Sequence, residues 1–178
     1  MTGKKGVILK RLTVGKILLI FLIIYIGFLV LPYVRHKKVP ASYQESFDVS
    51  SFYGSGPGPE RTAYIDNNDD ALLWRLRLIE EAREEIILST FDFKSDEAGK
   101  DIIAALMQAS DRGVQVRVIV DGFNGVLKLT GNKYFKALVS CPGVSIKIYN
   151  PISPFRPWDM QARLHDKYLI IDNSMYML

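Results

Sequence analysis

Residues 96–122 read DEAGKDIIAALMQASDRGVQVRVIVDG, a helix pattern that passes through one glycine into a strand pattern. Asp96 suits an N-cap, because its short side chain accepts from the free amides of a first helical turn. Ile102, Ile103 and Leu106 recur at helical spacing, which directs them to one face. Gly113 is placed to end the helix, since a residue without a Cβ enters the left-handed region without a clash. Val114, Val116, Val118 and Val120, with Ile119 between, then describe a buried strand that ends at Asp121-Gly122.

The alternation extends in both directions. Residues 69–85 (DDALLWRLRLIEEAREE) predict a helix with Leu72, Leu76 and Ile79 on one face and Trp74 in the core, leading into a strand that opens with Ile86-Ile87-Leu88 and reaches about Phe93. Residues 132–140 read as a shorter helix, Ser145 to Tyr149 as a further strand, and Tyr168 to Ile171 as part of another. Helices and strands alternating at this spacing imply right-handed βαβ crossovers. The expected fold class is therefore α/β, a mainly parallel sheet flanked by helices, with ligands beyond the carboxyl ends of the strands. No internal repeat or low-complexity tract is visible.

Upstream, residues 17–34 (ILLIFLIIYIGFLVLPYV) contain no charge, and as a helix they extend about 27 Å, close to the hydrocarbon thickness of a bilayer. An all-round apolar stretch with basic flanks predicts one transmembrane helix ahead of the α/β domain. Five Lys and Arg precede the segment and three follow it, which places the N-terminus in the cytoplasm and the body outside it. A cleaved signal peptide is the alternative, with Val39-Pro40-Ala41 as the cut, but Arg35 and Lys37-Lys38 follow the apolar run at once, as in an uncleaved anchor. The expected organisation is a basic segment 1–16, an anchor 17–34, a linker and leading loop 35–68 that includes Ser51 to Pro59, and a domain 69–178.

The composition, 48% hydrophobic and 24% charged with one cysteine, excludes a disordered tail and a disulfide-stapled miniprotein. Residues 1–38 hold eight Lys and Arg and no acid, so residues 39–178 hold the other 15 cations against all 19 acids and carry a net −4. The basicity belongs to the N-terminus, and the mildly acidic body argues against nucleic acid as a partner, since a nucleic-acid path needs a positive stripe.

One constellation carries chemistry: Arg163-Leu164-His165-Asp166-Lys167-Tyr168-Leu169-Ile170-Ile171-Asp172. On a strand, positions i and i+2 share a face, so His165 and Lys167 project together. An imidazole beside a fixed ammonium is suited to attack on a phosphodiester, the nitrogen as nucleophile and the cation against charge developing on phosphoryl oxygens. Asp172 falls on the other face by strict alternation and is expected in the turn Asp172-Asn173-Ser174, orienting its neighbours. The alternative is an incidental histidine with solvated Lys and Asp neighbours.

The spacing His165-x-Lys167-x4-Asp172 resembles the signature of the phospholipase D superfamily. The context is similar as well: a helix ending Ile79-Glu80-Glu81-Ala82-Arg83-Glu84-Glu85 before the strand Ile86 to Phe93, and a helix closing with Asp111-Arg112-Gly113 before Val114 to Val120 and Asp121-Gly122. The likeness covers roughly residues 60–178 and is nearest the bacterial cardiolipin synthase-like branch, whose members often carry an N-terminal membrane anchor. It implies that His165 forms a covalent phosphohistidine, that Lys167 binds the phosphate and that Asp172 supports the site. It also implies that the histidine of a second motif protonates the leaving alcohol, and that water or another alcohol releases the intermediate. It implies no metal and no cofactor, and the sequence has no His, Cys and carboxylate cluster at ligand spacing.

The chain departs from that pattern in carrying one motif; His36, in the flank of the anchor, is not a second. The family's next glycine is due after Asn173-Ser174-Met175-Tyr176-Met177-Leu178, where the sequence stops. The expectation is a fragment cut inside the first catalytic half, with little turnover alone, completed by a second motif downstream or by a homodimer that joins two His165 side chains. A membrane-anchored phospholipid phosphodiesterase or phosphatidyltransferase is the leading function. A tethered nuclease of the same superfamily and a non-catalytic anchored binding module are the alternatives. Three further features stay open. Asp121-Gly122-Phe123-Asn124-Gly125 reads as a phosphate-pocket wall or a plain turn. Pro151 to Trp158 (PISPFRPW) reads as a lipid-contacting loop or a rigid connector. Arg163 reads as a head-group contact or a solvated strand residue.

Overall fold

The computed structural model describes residues 2–34, 38–54, 56 and 58–178. Arg35, His36 and Lys37, the basic flank read from the sequence, lie outside the described residues, as do Ser55 and Pro57. The chain divides into two units, Met1–Tyr64 and Ile65–Leu178.

The first unit contains helix α1 (Thr2–Val34), helix α2 (Ala41–Ser46) and a 3₁₀ turn (Val49–Phe52) capped by the Asp48 carboxylate, which accepts from the Ser50 amide. Within α1, Thr13–Leu31 is long and apolar enough to cross a membrane, and none of it is buried. Its 19 residues extend about 28 Å as a helix.

The second unit is built on a five-stranded sheet in the order β3-β2-β1-β4-β5. Helix α3 (Asn68–Glu81) leads into β1 (Glu85–Thr90), α4 (Glu97–Asp111) into β2 (Gln115–Asp121), and α6 (Lys133–Val139) into β3 (Val144–Tyr149). A three-residue helix α5 (Gly122–Asn124) and a π-type turn (Gly125–Leu129) fill the gap after β2. Asp96 caps α4 as expected, accepting from the Gly99 amide at 3.0 Å. Gly113, at φ +93°, closes the same helix: its amide bonds the Ser110 carbonyl while the Val114 amide bonds that of Ala109, a Schellman arrangement.

β1, β2 and β3 run parallel, whereas β4 (Tyr168–Ile171) runs antiparallel to β1 and β5 (Met175–Met177) antiparallel to β4. The parallel character expected from the sequence thus holds for three strands and stops there. The reason lies in residues 150–167, which hold only one 3₁₀ turn (Pro157–Asp159) and no returning helix. A parallel strand needs a crossover that carries the chain back along the sheet; without one, the chain stays at the carboxyl end of β3 and the next strand runs back.

The core lies on one face of the sheet. Ile86, Val116, Val118, Val120, Leu169 and Ile171 point into it and meet Ile79 of α3, Ile103 and Leu106 of α4, and Leu138 of α6, all at most 3% exposed. Each such side chain contributes about 1.5–3 kcal/mol by leaving water. Ile87, Ile119, Tyr168 and Ile170, on the opposite face by alternation, are only half-buried. Trp74, expected in the core, is 45% exposed and stacks beneath the Arg77 guanidinium, because it lies outside the stripe of α3 that faces the sheet.

α3 also ends four residues before the helix expected over 69–85. Its last turn is capped from another element: the Arg112 guanidinium donates to the carbonyls of Ile79 and Ala82, a cation where the helix dipole is negative. At the far end of the sheet, a Cβ on Gly122 would collide with the carbonyl oxygens of Asn150 and Tyr149. Gly122→Ala therefore has to move backbone, and we expect a loss of about 1–3 kcal/mol, read as a lower denaturant midpoint for the detergent-solubilised chain. An unchanged midpoint would contradict this close approach.

Candidate active site

The antiparallel course of β4 decides where the motif falls. His165 and Lys167 precede the strand and so lie at the carboxyl end of β1, where the chain leaves Thr90 for Phe91. They occupy the extended approach to β4 and not the ladder itself. The imidazole stands 5.2 Å from the Phe91 ring, centroid to centroid, and the Lys167 ammonium lies 6.0 Å from the same ring. Lys167 Nζ also donates to the His165 carbonyl at 3.2 Å. Both side chains are exposed, and each approaches the Phe91 ring.

Asp172 is elsewhere. It follows β4 at the opposite end of a four-residue strand, about 16 Å of extended chain from Lys167. At φ +49° it opens a turn, and its carboxylate accepts the amides of Arg83, Glu84 and Glu85 at 3.0, 2.9 and 2.8 Å. Three amides aimed at one carboxylate favour its charged form. The Glu85 amide, followed by those of Arg83 and Glu84, accordingly holds Asp172 below the ordinary carboxylate range despite the opposing effect of burial. This same bonding holds Arg83 and Glu84 in a bend between α3 and Glu85, the first residue of β1.

The residues that hold the His165 end are ones the sequence did not single out for that task. Asp121, fully buried at the end of β2, accepts from the Leu164 amide at 2.9 Å and the Phe123 amide at 2.9 Å, and faces the Arg163 guanidinium at 3.4 Å. Asn124 donates its side-chain amide to the Phe91 carbonyl at 3.1 Å. Neither a pocket wall nor a plain turn describes residues 121–125: one side chain ties down the approach to His165 and another the residue beneath it. Arg163 is not a freely solvated strand residue: it faces Asp121 at 3.4 Å and donates to the Asn150 carbonyl at 2.8 Å. The available signal was a charged residue at the end of a buried strand, because such a charge needs partners.

The other cations near Phe91 are engaged. Asp92 holds Lys128 at 2.6 Å and Lys94 at 3.4 Å. Lys167 pairs with no carboxylate among the described residues, so its charge is available to an anion. Nor, among those residues, do three His, Cys, Asp or Glu side chains converge as a metal ligand set. A pocket of about 330 Å³ opens between α3, α4 and the sheet, sharing Thr90 and Asp92 with the strand end and lined by Ile79, Leu88, Ile102 and Leu169.

The model of the family described as "Cardiolipin synthase, PLD-like domain" matches residues 76–178. The chain belongs to this phospholipase D-like family. It is 31% identical to cardiolipin synthase 1 of Bacillus cereus over 133 residues, covering 72% of this chain and 25% of that protein. Over 112 residues it is 36% identical to cardiolipin synthase B of Escherichia coli K12, covering 61% and 26%. Among solved structures, NucT from Helicobacter pylori is similar with a TM-score of 0.46 and 21% identity over 59% of this chain and 62% of that one. The chain thus spans about a quarter of the length of these curated relatives.

Two predictions follow from the two carboxylates. Because the folded-state pKa of Asp172 is lowered, its contribution is complete above about pH 4 and is lost as the pH falls through the native value. Asp172→Asn should lower stability by about 1–3 kcal/mol at pH 7, and the wild-type advantage should shrink as the pH is taken from 5 to 2 in parallel urea titrations. Asp121→Ala removes the carboxylate that faces Arg163 and leaves the Leu164 and Phe123 amides without their acceptor, and should cost about 3–5 kcal/mol, with faster amide exchange over residues 163–167.

Proposed function

We propose that the chain forms a half-site of a membrane-anchored phospholipid phosphodiesterase or phosphatidyltransferase of the cardiolipin synthase type. The observation that carries this reading is the approach of an exposed imidazole and of an ammonium paired with no described carboxylate to the same Phe91 ring, at the carboxyl end of the sheet. The family membership supports a lipid over a wholly polar phosphodiester.

In this mechanism an imidazole nitrogen of His165 attacks phosphorus, a P–N bond forms, and the P–O bond to the leaving alcohol breaks. Lys167 neutralises charge that grows on the phosphoryl oxygens. The leaving oxygen takes a proton from an acid, a role the family resemblance gives to the histidine of a second motif. Water or an acceptor alcohol then attacks phosphorus, restoring His165. Asp172 acts at a distance as a positioning residue, by fixing one end of β4. The apolar part of α1 tethers the chain to lipid, with residues 1–16 in the cytoplasm.

A leaving group that departs without a proton separates the first step from the missing acid. With p-nitrophenyl phosphocholine, the purified chain should release about one nitrophenolate per site in a burst and retain an alkali-stable, acid-labile phosphoenzyme. His165→Ala should abolish the burst, and Lys167→Ala should slow it by about 10²–10³-fold. A burst that survives His165→Ala would overturn the assignment.

A further inference from the structure

Between Asn150 and Arg163 the chain leaves the sheet and returns just ahead of His165. The departure is fastened at its base. Asn150, at φ +42°, donates its side-chain amide to the carbonyls of Asp159 and Ala162, and Arg163 closes the ring by donating to the Asn150 carbonyl. Pro151, Pro154 and Pro157 restrict the backbone between, and Arg156 pairs with Asp159 inside the loop. A closed, internally braced loop of this length is an Ω-loop.

What the loop presents is apolar. Phe155 is 88% exposed and Trp158 is 42% exposed. The turn beside it, seated on the exit of β3 through Gly122 and Gly125, adds Phe123 and Leu127, which is 65% exposed. Both segments leave the carboxyl end of the sheet, the end that carries His165 and Lys167. A folded domain gains nothing by holding a phenylalanine in water on a rigid loop.

We propose that the loop 151–162, with the neighbouring turn 122–127, is a lipid-interface contact that seats the His165–Lys167 end of the sheet against a bilayer. This deepens the phospholipid reading and rests on it for its purpose. Exposed aromatic residues match the headgroup region, where Trp and Phe partition. Bracing by three prolines means that little conformational freedom is lost on insertion. The apolar span of α1 supplies the bilayer as a neighbour at high effective concentration. A phosphodiester at the headgroup level would then meet Lys167 without leaving the membrane.

Trp74 and Trp158 are the two tryptophans of the chain, which makes the test direct. The full chain is reconstituted into phosphatidylcholine–phosphatidylglycerol vesicles as Trp74→Phe, leaving Trp158, and as Trp158→Phe, leaving Trp74. Lipids brominated near the top of the acyl chain should quench Trp158 severalfold more than Trp74, while aqueous iodide should do the reverse. Phe155→Trp in the chain lacking both native tryptophans should show the same bromolipid quenching and so reports on the tip itself. Iodide reaching both loop positions freely would overturn the proposal. Shielding from iodide without bromolipid quenching would also overturn it, in favour of cover by protein. The readout needs no turnover: failure of quenching with the nitrophenolate burst intact removes the loop assignment alone, and quenching without a burst removes the chemistry alone.

Discussion

The ladder between β4 and β1 is the interaction on which the rest of this domain depends. Ile86, Leu88 and Ser89 face Ile171, Leu169 and Tyr168 in antiparallel register. That register sends the start of the motif to one end of the sheet and its aspartate to the other. Each end is held by a carboxylate accepting backbone amides: Asp121 takes the amide of Leu164, and Asp172 takes those of residues 83–85. A strand of four residues makes few ladder bonds of its own, so these two clamps set its register as much as its hydrophobic alternation does.

The electrostatics of the candidate site follow from which cations are already satisfied. Asp92 draws off Lys94 and Lys128, and Asp121 draws off Arg163. Lys167 keeps only a carbonyl contact, beside an aromatic face that favours cations. The net −4 of residues 39–178 does not describe this corner, where one uncompensated ammonium stands next to an imidazole. Local pairing, and not overall charge, leaves this ammonium without a carboxylate partner among the described residues.

Much of the architecture was legible in the chain. The Asp96 cap, the Gly113 stop, the valine strand and the apolar face of Ile103 and Leu106 are local patterns, each set by residues within a turn or two of one another. The errors fell where a distant partner decided. The helix over 69–85 ended at Glu81 because Arg112 caps its carbonyls and Asp172 takes the next amides. Trp74 lay outside the core because the sheet covers only one stripe of α3. Arg163 looked free because its acceptors, Asp121 and the Asn150 carbonyl, lie 42 and 13 positions away.

The amino-acid sequence alone determined the alternation of helices and strands, an apolar segment long enough to span a bilayer, and the spacing that places His165 and Lys167 on one side of an extended chain. Only the tertiary structure decided that β4 runs back along β1, that His165 and Lys167 each approach the Phe91 ring, and that Asp172 braces the opposite end. Periodicity and spacing are written by neighbours in the chain, which local physics can read. Strand direction, and the acceptor each buried charge finds, are settled only when elements far apart in sequence compete for the same backbone groups.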